Sequence, residues 1–510
     1  MYVIDQKVGK HIYVYEVHSY WDKNKKSPRQ QRVKIGKRDP VTGELIKLQT
    51  RRQSREYGPV YFLASLIEQL SLKELLYQEF PDTARQILMV AAFQIAEHKS
   101  LYLCNSWLEH IYLKEPLHLP SQAVSRLLHE LGEDDRGIYR FLDEWTEHHT
   151  DSEFIVFDIT SLSTYSKEID FAEWGYNRDG ERLAQINFGV VYSEPSNLPL
   201  LYSLYPGSVP DVVTLKNIKK RLEKISELRT LFVLDRGFYS TKNIEQLQDL
   251  GAFIIPLPMG TKAAKELVDK HHSSITDPER AFRFGKEIYY ALSATPILLE
   301  HEQLTAHLFY NQKRAGDERE RLIGELLTIE EETRIKKWKS SAKLIRFLDD
   351  NRPGWQHYFS LNEGEDGYTL LRKKKEIEQI LNHHGIFILL SNTNLSAEQI
   401  LAYYRRKDGV EKLFDTMKHG TEMKRLRVHS RKAMEGLIFI EFISLIIYSE
   451  IQKTLRESGL GKKLTVEQLF YELKKLSVIE IDDKKPIITE LTRKQKDIFN
   501  AFRIQLPILT

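Results

Sequence analysis

A chain of 510 residues is too long for one compact core, and roughly two to four domains are expected. It is 41% hydrophobic and 29% charged with a net charge of only +3, so bulk charge by itself establishes no nucleic-acid partner. The single cysteine, Cys104 in "LYLCNSW", excludes an internal disulfide and any cysteine-based zinc site, and it reads as a small core residue.

Residues 1–50 alternate in "HIYVYEVHSYW" and "QRVKIGK", which predicts a small β-meander. Around these strands lie Lys23, Lys25, Lys26, Arg29, Arg32, Lys34, Lys37 and Arg38, with no acid among residues 23–38. Charge of that density favours a phosphate-binding arm; a hairpin edge guarded by lysines is the other reading. The start "MYVIDQKVGKH" has no apolar core of a signal peptide. Residues 51–150 carry apolar side chains at helical spacing and predict a helical DNA-binding domain. A helix-turn-helix is one reading of Ser121–Trp145, with Ser121 as a cap.

Residues 151–257 predict three strands, a helix in "DVVTLKNIKKRLEKI", the buried strand "LRTLFVLD", another helix and the short strand "AFIIPLP". That order is an α/β layout with a mixed sheet. Residues 258–384 are highly charged and largely helical, and read as an insertion; residues 385–455 resume the α/β domain with "GIFILLSN". The run "GLIFIEFISLIIY" is too short to span a bilayer and contains Glu441, so it reads as a buried helix. Residues 456–510 predict a final helical region.

Asp158 interrupts the apolar strand "FIVFDIT" and Asp235 ends "LFVLD". An acid in a buried strand is costly unless paired, bound to a cation or at a wet edge, and ligands gather at the carboxyl ends of α/β strands. The two acids therefore suggest a shared cation site; a capped strand end for Asp158 and a salt bridge to Arg236 for Asp235 are the plain alternatives. The stretch "SAEQILAYYRRKDGVEKLFDTMKHG" reads as a helix opened by a capping box at Ser396 and Gln399. Tyr404, Lys407, Glu411 and Lys418 would share one stripe spread over about 21 Å, with Leu401, Val410, Leu413 and Met417 on the buried wall. Such a stripe suits one carboxylate at a metal centre with its neighbours following a polyanion. Three carboxylates in one pocket repel, and divalent cations with hard oxygen ligands remove the conflict. His383 and His384 read as loop residues rather than ligands.

"FDITSLSTYS", "LFVLDRGFYS" and "YYRRKDGVEKLFDTMK" resemble the three acid-bearing motifs of D-D-E transposases encoded by bacterial insertion sequences. The third resembles the Y-x2-R-x3-E-x6-K signature of one large branch, with Tyr404, Glu411 and Lys418 in register and Lys407 in the arginine place. Lysine keeps the charge there but lacks the bidentate fork. The resemblance implies an RNase H-like core over residues 151–257 and 385–455, interrupted by an insertion domain. It implies that Asp158, Asp235 and Glu411 are the catalytic acids and bind two Mg2+ ions, with Mn2+ able to substitute. It also implies that Tyr404, Lys407 and Lys418 contact the DNA backbone, and a basic cluster with Arg425, Arg427 and Arg431 reads as a further phosphate track. Some relatives stack a flipped base on an insertion-domain aromatic, for which Trp338 and Trp355 are weighed against core tryptophans.

The expected function is metal-dependent cleavage and strand transfer at transposon ends, acting on double-stranded end and target DNA as a homodimer. The expected place is the cytoplasm, at the nucleoid, with no membrane. A metal nuclease acting outside transposition shares the acids, and a catalytically inactive DNA-binding relative would not need all three.

Overall fold

The computed structural model describes residues 2–22, 27–47, 52–149, 154–193, 196–211, 213, 214, 221, 231–294, 304–365, 367–420, 423–481 and 485–508. The chain divides into two compact units, one of residues 1–66, 106–118 and 463–510, the other of residues 67–105 and 119–462. Lys23, Lys25 and Lys26 of the basic arm, and most of the helix expected in "DVVTLKNIKKRLEKI", lie outside the described residues.

In the first unit the alternating segment forms a four-stranded antiparallel sheet of Tyr2–Val8, His11–Asp22, Ser27–Arg38 and Leu45–Lys47. Arg29, Arg32, Lys34 and Lys37 are exposed on it. The Arg38 guanidinium pairs with Asp5 at 3.0 Å, and the Lys34 ammonium stands 3.6 Å from the centre of the Tyr13 ring. A second sheet orders Ile487–Ile488, Ser477–Ile481 and Arg52–Glu56. The end of the chain is therefore part strand: "SVIEI" pairs antiparallel with residues 52–56, a partner too distant in sequence for local periodicity to reveal. Helices Val466–Leu473 and Arg493–Ala501 each begin with a reciprocal capping box, and Phe62 packs edge-on against Phe470 and Phe502.

The second unit is built on a ten-stranded mixed sheet. Its order runs Ala281–Phe284, Glu287–Ala294, Thr305–Asn311, Ile386–Ser391, Ala252–Leu257, Leu231–Leu234, Phe154–Thr164, Ala184–Ser193 and Leu198–Pro206, with Arg425–Leu426 pairing beside Phe154–Thr164. Leu231–Leu234 runs parallel to both its neighbours, and Arg425–Leu426 parallel to Phe154–Thr164; the remaining pairings are antiparallel. All eleven residues of Phe154–Thr164 are buried, as a central strand covered on both faces must be.

The long helix Arg431–Glu457 holds the expected apolar run and packs against Ala84–Glu97, Ser121–Glu133 and the strand Leu198–Pro206. Its crossing with Ser121–Glu133 is close enough that a Cβ on Gly436 would stand 2.0 Å from the Leu128 carbonyl oxygen, and one on Gly132 1.9 Å from that of Lys432. Glu441 is buried in this packing and accepts from the Gln94 side chain at 3.1 Å. Among the described residues no helix is long and apolar enough to cross a membrane. The helices Ser121–Glu133 and Asp135–His149 do follow one another directly, but the second is docked on the sheet: the Trp145 indole donates to the Pro199 carbonyl at 2.9 Å.

The region expected as an insertion divides in its role. Residues 281–294 and 305–311 extend the main sheet, while residues 312–383 carry a core of their own. That core joins helices Gln312–Arg334, Ser341–Asn351 and Lys374–His383 to the hairpin Phe359–Gly364 and Gly367–Arg372. Trp338 and Trp355 are buried in it, and their indole N–H groups donate to the Thr333 carbonyl at 3.0 Å and to Asp349 at 2.9 Å. Both are core tryptophans here. Cys104 is buried too, with its thiol pushed up to about 12 by burial.

Candidate active site

Parallel pairing puts two acids side by side. Phe154–Phe157 align with Leu231–Leu234, so the next residue on each strand, Asp158 and Asp235, emerges at the same end of the pair. After Asp235 the chain leaves the sheet in a tight turn, Arg236–Phe238, whose Phe238 ring packs on Phe157.

Glu411 is supplied by a helical segment much later in the chain. The segment expected as one straight helix is two, Ala397–Arg405 and Asp408–Asp415, followed by a wider π-type turn at Thr416–Gly420. The join is overwound: the N–H groups of Lys407, Gly409 and Val410 each bond three residues back rather than four. Gly409 explains the break in part. Its propensity is poor, and a Cβ there would stand 2.9 Å from the Tyr192 ring, which would have to shift to admit it. The capping box at Ser396 and Gln399 is present, and Leu401, Val410, Leu413 and Met417 are buried.

The short turn brings Lys407 inward. Its ammonium lies 2.8 Å from Asp235 Oδ1, 3.4 Å from Glu411 Oε1 and 3.9 Å from Asp158 Oδ2. The three acids therefore converge on one point, and a cation stands at it. Among the described residues no group of three or more His, Cys, Asp or Glu side chains is placed to hold a metal ion. The Lys407 side chain is 8% exposed, against 41% for Asp235 and 59% for Glu411.

Burial raises the Asp158 carboxyl from its ordinary 3.8 to about 6, with Asp235 adding to the rise and Lys407 opposing it. Burial also pushes Asp235 upward, but the nearby Lys407 charge and hydrogen bond outweigh it and the net direction is down. For Lys407, burial is opposed and overcome by Asp158 and Asp235, which hold the ammonium charged. An all-oxygen set with an exposed Glu411 fits a hard divalent cation, provided that the ammonium withdraws from the centre. An ion held by this set would need Asp158 ionised. Divalent-cation affinity of the purified protein is accordingly expected to fall about tenfold per pH unit below pH 6, a trend that calorimetric titrations at several pH values would reveal.

Tyr404 is half-buried, with its hydroxyl raised by desolvation, and lines a cavity of about 290 Å³ together with Asp235, Arg236, Arg314, Arg405 and Met259. Three arginines thus line the space beside Asp235; Arg314 also donates to Glu318 at 2.8 Å and Arg405 to the Tyr289 hydroxyl at 3.1 Å. The other residues singled out from sequence have partners elsewhere. Lys418 is buried and bonds both oxygens of Asp179, at 2.8 and 2.7 Å. Arg425 pairs with Glu181 at 2.7 Å, Arg427 donates to Ser100 at 2.6 Å and Arg431 to Glu435 at 2.9 Å. His383 bonds Asp269 at 3.1 Å.

Three residues unnoticed in the sequence join this neighbourhood. Arg178 pairs with Asp211 and donates to Ser161 Oγ at 3.3 Å, and its charge also acts on Asp158. Asp211 in turn stands against Gly237, where a Cβ would come within 2.6 Å of its carboxylate. Asp179 holds Lys418. For Arg178 and Asp179 the advance signal was the charged run "NRDGER" set between two apolar strands; Asp211 lies outside it.

Fold and site together define an α/β protein with a carboxylate centre at the carboxyl ends of its parallel strands. The family described as transposase DDE domain matches residues 149–447, more than half of the chain, and the chain belongs to that family. The protein is a DNA transposase, and neither a nuclease outside transposition nor an inactive relative is favoured. No curated protein matches it. Among solved structures it is similar to piggyBac transposase in a synaptic complex with hairpin DNA, at 12% identity and a TM-score of 0.36, over 82% of this chain and 70% of that one. A similarity of that size carries no weight for the fold.

Proposed function

We propose that Asp158, Asp235 and Glu411 are the catalytic acids of this transposase and hold two Mg2+ ions, for which Mn2+ can substitute. The observation that carries the reading is the convergence of the three carboxylates on the Lys407 ammonium. Divalent cations, when bound, promote formation of the attacking oxygen and stabilise the departing one in phosphodiester chemistry. In the cutting step, water oxygen attacks phosphorus, the bond to the strand's 3′ oxygen breaks, and a 3′-hydroxyl is released. In joining, that hydroxyl attacks a target phosphorus and the bond to the displaced target oxygen breaks. Neither step needs an oxidant or reductant.

The chain's own groups position the strand. Arg236, Arg314 and Arg405 line the cavity next to Asp235 and suit a phosphodiester backbone, with Tyr404 on the same wall. Lys407 withdraws from the acids to a phosphate as the strand and metal enter. Arg425, Arg427 and Arg431 extend the positive surface, whereas Lys418 is buried against Asp179. Arg425 and Arg431 are themselves exposed, so phosphates can compete with Glu181 and Glu435 for them. We further read the sheet as RNase H-like, residues 312–383 as an inserted body, the basic sheet of residues 2–47 as a phosphate-binding arm and the active form as a homodimer on paired ends.

The test is cleavage of duplexes bearing the inverted repeats that flank the coding sequence. Mg2+-dependent nicking at the repeat boundary, abolished by EDTA, is expected. Equal cutting of any duplex regardless of ends would overturn the transposition-specific chemistry.

A further inference from the structure

We propose that Trp174 and Tyr176 form a stacking platform for unpaired nucleobases of the DNA strand that approaches the three-carboxylate centre; this rests on the reading of that centre as the catalytic site. Trp174 is 69% and Tyr176 84% exposed. Large aromatic side chains normally bury their rings, and Trp107, Trp145, Trp338 and Trp355 in this chain do so.

The two rings do not belong to a loosely held loop. Glu173 and Gln185 exchange both backbone hydrogen bonds, at 2.9 and 3.0 Å. The buried Gln185 side chain donates to the Tyr176 carbonyl at 2.9 Å. Asn177 accepts from the N–H groups of Asp179 and Glu181 and donates to Ser163 at 3.1 Å. Between the two aromatics, Gly175 lies so close to the sheet that a Cβ would come 1.9 Å from the Gly207 carbonyl oxygen. The backbone around the rings is fixed while the rings face water, which lowers the ordering cost of a ligand that stacks on them.

Their position favours a nucleic-acid strand over other occupants. Arg178, two residues beyond Tyr176, donates to Ser161 on the strand that carries Asp158. The Cα of Trp174 can be no more than about 14 Å from that of Arg178. The same segment gathers cations: Asp179 holds Lys418, and Glu181 holds Lys424 and Arg425. Rigid aromatic faces in a segment that also holds exposed cations, here Lys424 and Arg425, are what sequence-tolerant binding of single strands uses.

A fluorescence experiment isolates the platform. Trp21, 62% exposed, is the other exposed tryptophan, so in full-length W21F the accessible emission comes from Trp174. Addition of a short oligothymidine single strand is expected to quench this emission and protect it from iodide, and W21F/W174F should lose both effects. W174A should weaken single-strand affinity about five- to hundred-fold, the usual range for one stacked base, and more than it weakens duplex affinity, with W174F largely restoring it. The platform is overturned if W174A/Y176A binds oligothymidine as tightly as the parent. It is equally overturned if iodide protection grows with protein concentration in the absence of DNA, which would assign the rings to a contact between copies. Retained duplex binding with no Trp174 dependence removes the platform alone. Failure to bind either strand or duplex removes the DNA-site reading with it.

Discussion

Substitution of Asp158 by asparagine is expected to abolish strand cleavage while making the metal-free protein more stable at pH 8. The two effects share one cause. The carboxyl sits about two units above its ordinary value because burial disfavours its charge. Above pH 6 the folded chain carries an ion that it would rather hold neutral, and asparagine supplies the neutral shape. The gain is up to about 3 kcal/mol at pH 8, shrinking as the pH falls from about 6 towards 4, where aspartic acid becomes protonated on its own. Losing one acid of the centre removes several kcal/mol of transition-state stabilisation, or about a thousand-fold or more in rate. Glu411→Gln separates the effects: the side chain is 59% exposed, so cleavage should fall comparably with stability changed by less than about 0.5 kcal/mol. Urea melts at pH 5 and 8, run beside cleavage assays, measure both. Active Asp158→Asn protein would remove Asp158 from the chemistry, and a destabilised one at pH 8 would contradict the burial argument.

How the site could be read from the sequence follows from which forces are local. Asp158 and Asp235 were legible because an acid at the end of an apolar strand is costly and strand ends are where α/β sheets bind ligands. Glu411 was legible from its helical register and from a resemblance. Lys407 was not legible in its observed place. From sequence it shared the stripe with Glu411 as a DNA-backbone contact; the overwound turn from which it reaches all three acids lies beside Gly409, which stands against the Tyr192 ring across the fold. Arg178, Asp179 and Asp211 were hidden for the same reason, since their partners Ser161, Lys418 and Gly237 are supplied by other elements. The strand Ser477–Ile481 and its pairing with Arg52–Glu56 show the limit for the fold: five residues of alternation become a strand only when a distant edge is present.

Lys407→Met carries the sharpest consequence of the geometry. In the parent the ammonium is desolvated, and its attraction to Asp158 and Asp235 more than offsets that cost. Methionine of similar length keeps the volume and removes the charge, leaving a buried carboxylate beside two others. The expected loss in EDTA at pH 8 is about 3–5 kcal/mol, the usual size for stripping one partner from a buried ion pair. Its pH dependence has a definite sign. Asp158 already titrates near 6, above its unfolded value, and without Lys407 it should titrate higher. A raised acid contributes instability that is absent at low pH and grows as pH rises from about 4 through the folded value, so the variant should approach the parent at pH 5 and fall away at pH 8. Divalent cation should then repair the variant more than it stabilises the parent, because the centre no longer holds an ammonium that must leave. Saturation at a hundredfold excess over the dissociation constant corresponds to about 2.7 kcal/mol. Melting curves in EDTA and in MgCl2 at both pH values test the whole argument without any cleavage assay. A variant as stable as the parent in EDTA at pH 8 would mean that Lys407 does not hold the three acids together; an equal Mg2+ response in both proteins would mean that it does not occupy the cation's place.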